Sequence, residues 1–450
     1  MIVMKFGGTS LGDAERIVAV SEIVRQRLHL GPVVVLSAMA GATDLLVEAV
    51  SAARQGKRDA VETAVGELAK RHRWAVSGTM QDSSRRHDLD LEVDAIIEEL
   101  RVLLRSVRVL GEGTPRAADT LLAFGELLST RIATAAFIER GIRACWIDPR
   151  EIVVTDNRHG AAEPDTAAVT ERCRSRLLPV VEQGEVPVIG GFVGATPQGD
   201  TTTLGRGGGD TSAAIVGSAL GVQEIQIWTD VDGLMTADPK AVPAARRLSK
   251  ISFPEAADLA YYGARVLHPA SVAPAVKENI PVRILNSMNP DGPGTVIVDR
   301  TEEGAGSLAS VTSRRGLHAL RVIGRGKRLH PGFLSAVVKT FERCGVSDEL
   351  AVASQATVTV VAGGEPQTAR IAAQLPQGCH VESVPDLAVV CVVGGALADD
   401  GDLRRRVLEV LAAHEPLVVA LGARATSVAA VVVESRLEDA VRDVHRRFFE

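Results

Sequence analysis

From its first residues to about position 290 the chain alternates short apolar runs, most ending in glycine or other small residues, with longer amphipathic stretches. This alternation restricts the fold more than any other feature. Ile2 to Phe6 runs into Gly7-Gly8-Thr9-Ser10 and then a helical pattern from about Asp13 to Leu28. Val33 to Leu36 runs into Ser37-Ala38-Met39-Ala40-Gly41-Ala42-Thr43 before a helix near Asp44. Ala144 to Ile147, Ile152 to Val154, Val186 to Phe192, Ile225 to Thr229 and Val282 to Asn286 are further strand segments, and Ser252 to Val266 reads as helix. Parallel strands are joined by crossovers and buried on both faces, so apolar runs alternating with helices imply a parallel α/β sheet covered on both sides. Between Gly56 and Arg140 the pattern is helical alone, with apolar residues three and four apart over Ala60 to Ala75 and Leu89 to Val109.

In an open parallel sheet, ligand-binding groups gather at the C-terminal ends of the strands. Lys5 stands at such an end, where an ammonium is costly unless it faces an anion or, alternatively, sits on an edge strand in solvent. Gly7-Gly8 beside it lets backbone N–H groups approach an anion, and Ser37 and Thr43 follow the next strand into the same crevice. Gly205-Arg206-Gly207-Gly208-Gly209-Asp210, leading into a small-residue helical run, reads equally as a phosphate-handling turn or a flexible loop. Past the strand that ends at Thr229 come Asp230, the turn Asp232-Gly233 and a second turn, Thr236-Ala237-Asp238-Pro239-Lys240, which place acids and a lysine where a nucleotide could be held. Glu126 is a single acid in a small and apolar context; its neighbours alone fit a helix-surface glutamate slightly better than a binding group. His159 reads as a loop histidine rather than a base, since no nucleophile stands beside it.

The patterns GxxxxGK[ST] and GxGxxG are missing here, as are the HRD and DFG sets of protein kinases. A lysine on glycine, an arginine in glycine and scattered acids remain. Phosphoryl transfer needs mainly positioning and charge neutralisation, so this inventory suffices when a metal ion bridges nucleotide phosphates. A chain of 450 residues, 46% hydrophobic, supports two or three domains. With 50 Lys and Arg against 56 Asp and Glu, a net charge of -6, no overall basic surface points to nucleic acid or an acidic membrane. Five cysteines without CxxC spacing indicate neither a zinc site nor a disulfide framework and fit a reducing cytoplasm. No signal pattern or uninterrupted apolar run of membrane-spanning length is expected.

After the glycine-rich stretch Gly294 to Gly306 the texture changes. Strands at Leu317 to Val322, Glu349 to Ala353 and Thr357 to Val361 alternate with helices at Gly332 to Cys344 and Gln367 to Leu375. The pattern then recurs with strands at Leu387 to Val393, Leu417 to Ala420 and Val428 to Val433 and helices at Asp402 to Ala413 and Leu437 to Phe448. Two consecutive βαββαβ-like units read as paired ferredoxin-like modules for a small effector or another subunit.

Five motifs in order, Met4-Lys5-Phe6-Gly7-Gly8-Thr9-Ser10, Gly205 to Asp210, Trp228-Thr229-Asp230-Val231-Asp232-Gly233, Gly263-Ala264-Arg265-Val266-Leu267-His268-Pro269 and Asn289-Pro290-Asp291-Gly292-Pro293-Gly294-Thr295, resemble the aspartate kinases. The likeness is to the monofunctional, lysine-sensitive type: an amino-acid kinase (carbamate-kinase-like) parallel-sheet sandwich followed by two ACT units. It covers the whole chain and implies a catalytic domain over 1–298 and ACT units over 307–384 and 385–450. It also implies ATP- and Mg²⁺-dependent phosphorylation of the L-aspartate side-chain carboxylate to 4-phospho-L-aspartate, on the way to lysine, threonine and methionine. The alternatives are a same-fold kinase for another amino-acid carboxylate and an inactive effector-binding regulator.

Under the resemblance, Lys5 neutralises the transferring phosphoryl group and Asp210 orients Lys5 or the metal shell. Arg206, Thr43 and the amides of Gly207, Gly208 and Gly209 hold the acceptor carboxylate, and Glu126 pairs with its ammonium. Gly7, Gly8, Thr229, Asp230, Met235, Lys240, Arg265 and Val266 correspond to nucleotide contacts. Phe333, Leu334, Ser347, Asp348, Ser354 and Gln355 correspond to effector positions in the first ACT unit, and a homodimer or dimer of dimers is implied. The chain departs from the family at Gly209, usually serine, at Gly190, commonly glutamine, at Met235, frequently tyrosine, and at Arg265, usually lysine. The first two suggest room for a larger acceptor. In the first ACT unit Ser354-Gln355-Ala356-Thr357 lacks the family's acid, which weakens the case for ordinary lysine inhibition.

Overall fold

The computed structural model describes residues 1–263, 269–300, 308–324, 332–346, 348–354, 357–364, 368–375, 378–421 and 425–450. The chain divides into a first unit, Met1–Gly233 with Val266–Asp299, and a second, Leu234–Arg265 with Arg300–Glu450.

The strands of the first unit are β1 (Ile2–Phe6), β2 (Pro32–Leu36), β3 (Ala144–Ile147), β4 (Val186–Gly190), β5 (Val193–Ala195), β6 (Thr201–Thr203), β7 (Glu224–Thr229), β8 (Val282–Asn286) and β9 (Thr295–Val298). In the main sheet they run in the order β3-β4-β2-β1-β7-β8-β9, parallel except for the β8/β9 pair, while β5 and β6 form a separate antiparallel ribbon. β1 lies at the centre, with Lys5 opposite Val35 of β2 and Ile227 of β7. Every residue of β1 but Lys5 is buried, as the unbroken apolar run requires of a strand covered on both faces. The strand expected over Ile152 to Val154 is instead a turn, Pro149–Glu151, followed by a single bridge from Val154 to Ala195. Pro149 lacks an N–H and the Asp148 side chain accepts from Arg150 N, so a turn starts where a ladder would have to continue.

The helices of this unit that bear on function are α1 (Ala14–Arg25), α2 (Ala42–Arg54), α3 (Arg58–Thr79), α4 (Ser83–Leu110), α5 (Pro115–Leu122), α6 (Phe124–Glu139) and α7 (Gly208–Leu220). α1 to α6 contribute to one continuous apolar core with the sheet. The stretch Pro115–Glu139 passes for a membrane span by length and composition, but 78% of its apolar 18-residue window is buried inside the fold, so its apolarity belongs to the core. Trp228, fully buried on β7, stacks its ring on Phe6 at 5.7 Å and carries the Arg27 guanidinium 4.5 Å from its centroid.

In the second unit α8 (Phe253–Tyr262) begins with a reciprocal cap between Ser252 and Glu255. Then follow β10 (Ser310–Gly324), α9 (Phe333–Arg343), β11 (Asp348–Ala353), β12 (Thr357–Gly363), α10 (Thr368–Gln374), β13 (Cys379–Val393), α11 (Gly401–Ala412), β14 (Val418–Leu421), β15 (Ser427–Val433) and α12 (Leu437–Phe448). The expected repeat forms one antiparallel sheet, β11-β12-β10-β13-β15-β14. β10 and β13 are each 15 residues long and serve both repeats. Leu317 to Gly324 pairs with Cys379 to Leu387 over a core that includes Leu320, Val337, Phe341 and Val360. Ser310 to Arg314 pairs with Val389 to Val393 over a second core that includes Val311, Val390, Leu411 and Val444. A bulge around Arg314 to Ala319, with Gly316 at φ +70, separates the halves. The boundary expected at 384/385 therefore falls inside a strand, and Ala237 and Val242 belong to the second core.

Trp228→Ala removes the largest fully buried side chain of the first core, and a loss of about 3–5 kcal/mol is expected. Urea unfolding should show it as a lowered midpoint, with Trp228→Phe falling between.

Candidate active site

The chain leaves β1 for β2 on one side and returns to the other side through β7, so the C-terminal ends of β1 and β7 flank a switch in strand order. Backbone bonds stitch the turns there: Gly7 N donates to Trp228 O at 3.1 Å, Ser37 N to Phe6 O at 3.1 Å and Gly191 N to Leu36 O at 2.8 Å. The Lys5 side chain, 12% exposed, rises into this opening and places Nζ 2.6 Å from Oδ1 of Asp210. Asp210 is in the first turn of α7, where a negative charge complements the helix N-terminus.

The glycine run ahead of Asp210 is a matter of clearance. Gly207 takes φ +75 at the helix entry, and a Cβ on Gly209 would stand 3.0 Å from Ser37 Oγ and 3.2 Å from Lys5 Cε. Gly190 is equally crowded, since a Cβ there would lie 3.1 Å from Glu126 Cβ and 3.3 Å from Pro149 Cγ. The space beside both glycines is thus taken up by the protein's own atoms, which does not favour the larger acceptor pocket their identity suggests.

Glu126, in the first turn of α6, is buried rather than on a helix surface, and Ala38 N donates to its Oε1 at 3.0 Å. Burial pushes its carboxyl up to about 8, against the Ala38 donation and the nearby Lys5 charge, which act to lower it. The apolar context was visible in the sequence; the burial of the carboxyl and its contact with Ala38, remote along the chain, were not. A cleft of about 350 Å³ brings together Lys5, Gly8, Ser37, Thr43, Glu126, Gly207, Gly208, Gly209 and Asp210. Arg206 does not line it; it is exposed between Gly205 and Gly207, and among the described residues its guanidinium has no ion-pair partner. Ser37, whose carbonyl accepts from Ser129 Oγ at 2.8 Å, faces the cleft beside Lys5.

At the end of β7, Thr229 Oγ1 donates to Asp230 Oδ1 at 3.1 Å, and Asp232 accepts from Asn286 and Asn289. Gly7 keeps the backbone low beside Lys5, with Nζ 3.8 Å from where its Cβ would be. Met235 and Lys240 belong to the second unit, Met235 O accepting from Ser310 Oγ at 2.8 Å and Lys240 being exposed. Arg265 and Val266 lie outside the described residues, as do Ser347 and Gln355. Phe333 is buried at the start of α9 beside exposed Leu334, Asp348 opens β11, and the Ser354 and Thr357 hydroxyls are 2.6 Å apart. All five cysteines are free. His159 is a loop residue held by Asp119.

A cationic lysine set against an acid at a helix N-terminus, above a cleft with a buried carboxyl, has the parts of a kinase for small charged acceptors. The chain belongs to the amino acid kinase family, whose model matches residues 1–286, and its full-length likenesses place it with the aspartokinases. It is 33% identical to lysine-sensitive aspartokinase 3 of Escherichia coli (strain K12), over 100% of this chain and 99% of that protein. It is 33% identical to chloroplastic aspartokinase 1 of Arabidopsis thaliana, covering 80% of that protein. Its structure matches that of E. coli aspartokinase III in complex with lysine and aspartate (T-state) with a TM-score of 0.88 at 31% identity, over 100% of both chains. The same enzyme in complex with aspartate and ADP (R-state) matches with a TM-score of 0.83.

With its carboxyl raised to about 8, Glu126 holds a proton in the fold that the unfolded chain releases near 4.5, so burying it costs more stability as pH rises from 4.5 to 8. Glu126→Gln should therefore raise the thermal midpoint more at pH 8 than at pH 5 while removing activity. Calorimetry at the two pH values checks the first part and ADP release the second.

Proposed function

We propose that the chain transfers the γ-phosphoryl group of ATP to the side-chain carboxylate of L-aspartate, giving 4-phospho-L-aspartate, at the head of lysine, threonine and methionine synthesis. The observation that carries this reading is the Lys5–Asp210 pair at 2.6 Å facing a cleft that also contains buried Glu126. Lys5 offsets charge on the phosphoryl oxygens, and Asp210 holds the ammonium in line. Glu126 takes the acceptor ammonium, Arg206 its α-carboxylate as a two-pronged donor, and Thr43 with the amides of Gly207 to Gly209 completes the grip. Gly7, Gly8, Thr229, Asp230, Met235, Lys240, Arg265 and Val266 serve the nucleotide.

Mg²⁺ is held in kinases by one or two carboxylates together with phosphate oxygens and water, and Asp210 supplies an acid of that kind at the turn. Asp210 would help to hold the metal, which would supply charge neutralisation for the nucleotide phosphates. We take 1–298 as the catalytic part and the two repeats as ACT units that receive a small amino-acid effector in the region of Phe333, Leu334, Ser347, Asp348, Ser354 and Gln355. A homodimer or dimer of dimers in a reducing cytoplasm completes the reading.

The test is ADP release with a panel of amino dicarboxylic acids, with lysine, threonine and methionine added in turn. L-Aspartate is expected to be the preferred acceptor, and Lys5→Ala is expected to lose at least about a hundredfold in kcat, the scale of a lost electrostatic contact to the reacting group. Equal ADP release by wild type and Lys5→Ala, or no turnover of aspartate, overturns the proposal. Because a neutral Glu126 cannot pair with an ammonium, kcat/KM for aspartate should rise with pH up to about 8 and then level off, whereas KM for ATP should not follow it.

A further inference from the structure

One buried acid beside the cleft has no part in the roles above. Asp119, on α5, is 2% exposed. A carboxylate so placed is costly unless its oxygens are satisfied, and here three donors meet it. Thr203 Oγ1 donates to Oδ1 at 2.7 Å, while Gly160 N at 3.0 Å and His159 Nδ1 at 2.9 Å reach Oδ2. The donors come from two segments that are remote in sequence from α5 and from each other.

Both segments lead to the arginine turn. Thr203 ends β6, and the chain passes through Leu204 and Gly205 to Arg206. The loop of His159 and Gly160 lies behind that turn: Gly160 O stands 3.0 Å from where a Cβ on Gly205 would be, and Gly205 takes φ +74. Ala162 N donates to Thr203 O at 2.9 Å, and the Thr155 and Thr202 hydroxyls are 2.7 Å apart, so loop and strand are joined at two further points. A second tie from α5 to the approach of β6 is the Arg116–Asp200 ion pair at 2.6 Å.

On its other side Asp119 is coupled to Glu126. Ala123 N donates to Asp119 O and Leu127 N to Ala123 O, both at 3.1 Å, so α5 passes directly into the first turn of α6. Asp119 is thereby attached through its carboxylate to the strand that delivers Arg206 and through its backbone to the helix that delivers Glu126. His159 Nδ1, facing the Asp119 carboxylate at 2.9 Å, is placed to donate to it and so ties its loop to α5.

We propose that Asp119 is a positioning residue that sets the span between Glu126 and Arg206, and so selects the length of the amino dicarboxylic acid the cleft accepts. This rests on the roles given to Glu126 and Arg206 above. Thr203 is the narrower probe of the link, because valine keeps its shape and removes only the hydroxyl.

The experiment compares wild type, Thr203→Val, Asp119→Ala and the double variant, each measured for KM of aspartate, KM of ATP, kcat/KM for aspartate against glutamate, and thermal midpoint. The expected result is a rise of about tenfold or more in KM for aspartate in each single variant, the scale of a lost hydrogen bond to a charged group. KM for ATP should change less than twofold, the preference for aspartate over glutamate should fall by a similar factor, and the double variant should be no worse than Asp119→Ala. A lowered midpoint with both KM values and the acceptor preference unchanged overturns the proposal and leaves Asp119 a fold-stabilising acid. KM values for aspartate and ATP that rise together overturn it as well. Wild type that neither binds aspartate by calorimetry nor turns it over sinks the functional reading itself, and this proposal with it.

Discussion

The site depends on a lysine that cannot afford to be alone. Lys5 sits in the middle strand of a parallel sheet, between β2 and β7, in a segment whose other residues are all buried. An ammonium at such a position needs a counter-charge, and Asp210 provides one at 2.6 Å from the first turn of α7. Where the acid comes so close, the backbone ahead of α7 lies near Ser37 and the Lys5 stem, so a Cβ at Gly209 would crowd both side chains. The glycine run and the first turn of α7 bring the acid to the end of the central strand, where the lysine needs it.

The acceptor side obeys the opposite logic. Glu126 is buried without a full counter-charge, so burial holds it in its neutral form at neutral pH, and the Ala38 N–H donation opposes that shift without overcoming it. It is a vacancy for positive charge built at the expense of stability, which is the ordinary arrangement at binding sites. Asp119 differs in kind: three donors satisfy it, and its use is geometric.

Much of the first unit was legible in the sequence because buried parallel strands and amphipathic crossover helices leave separate signatures. Lys5 next to Gly7-Gly8 announced itself for the same reason, as a charge where the pattern forbids one. Glu126 was harder to read, since α6 is apolar on nearly every side and a single acid gives no face to assign it to. The stretch Pro115–Glu139 shows the same property, because a largely enclosed helix has the composition of a membrane span. Asp119 and His159 were illegible as a pair: their partnership exists only through tertiary contacts between segments about forty residues apart. The attachment of Leu234–Arg265 to the C-terminal unit was likewise hidden, because Ala237 and Val242 carry no mark of which core they fill.

The two long strands of the C-terminal sheet give that region a property beyond its repeat pattern. Because β10 and β13 each lend one half to either core, with a bulge between, neither repeat owns a complete set of strands. The pair behaves like two rooms built on common beams. Neither could be excised, exchanged with another protein or inherited singly without taking half of its neighbour, and any bend in the beams is felt in both rooms at once.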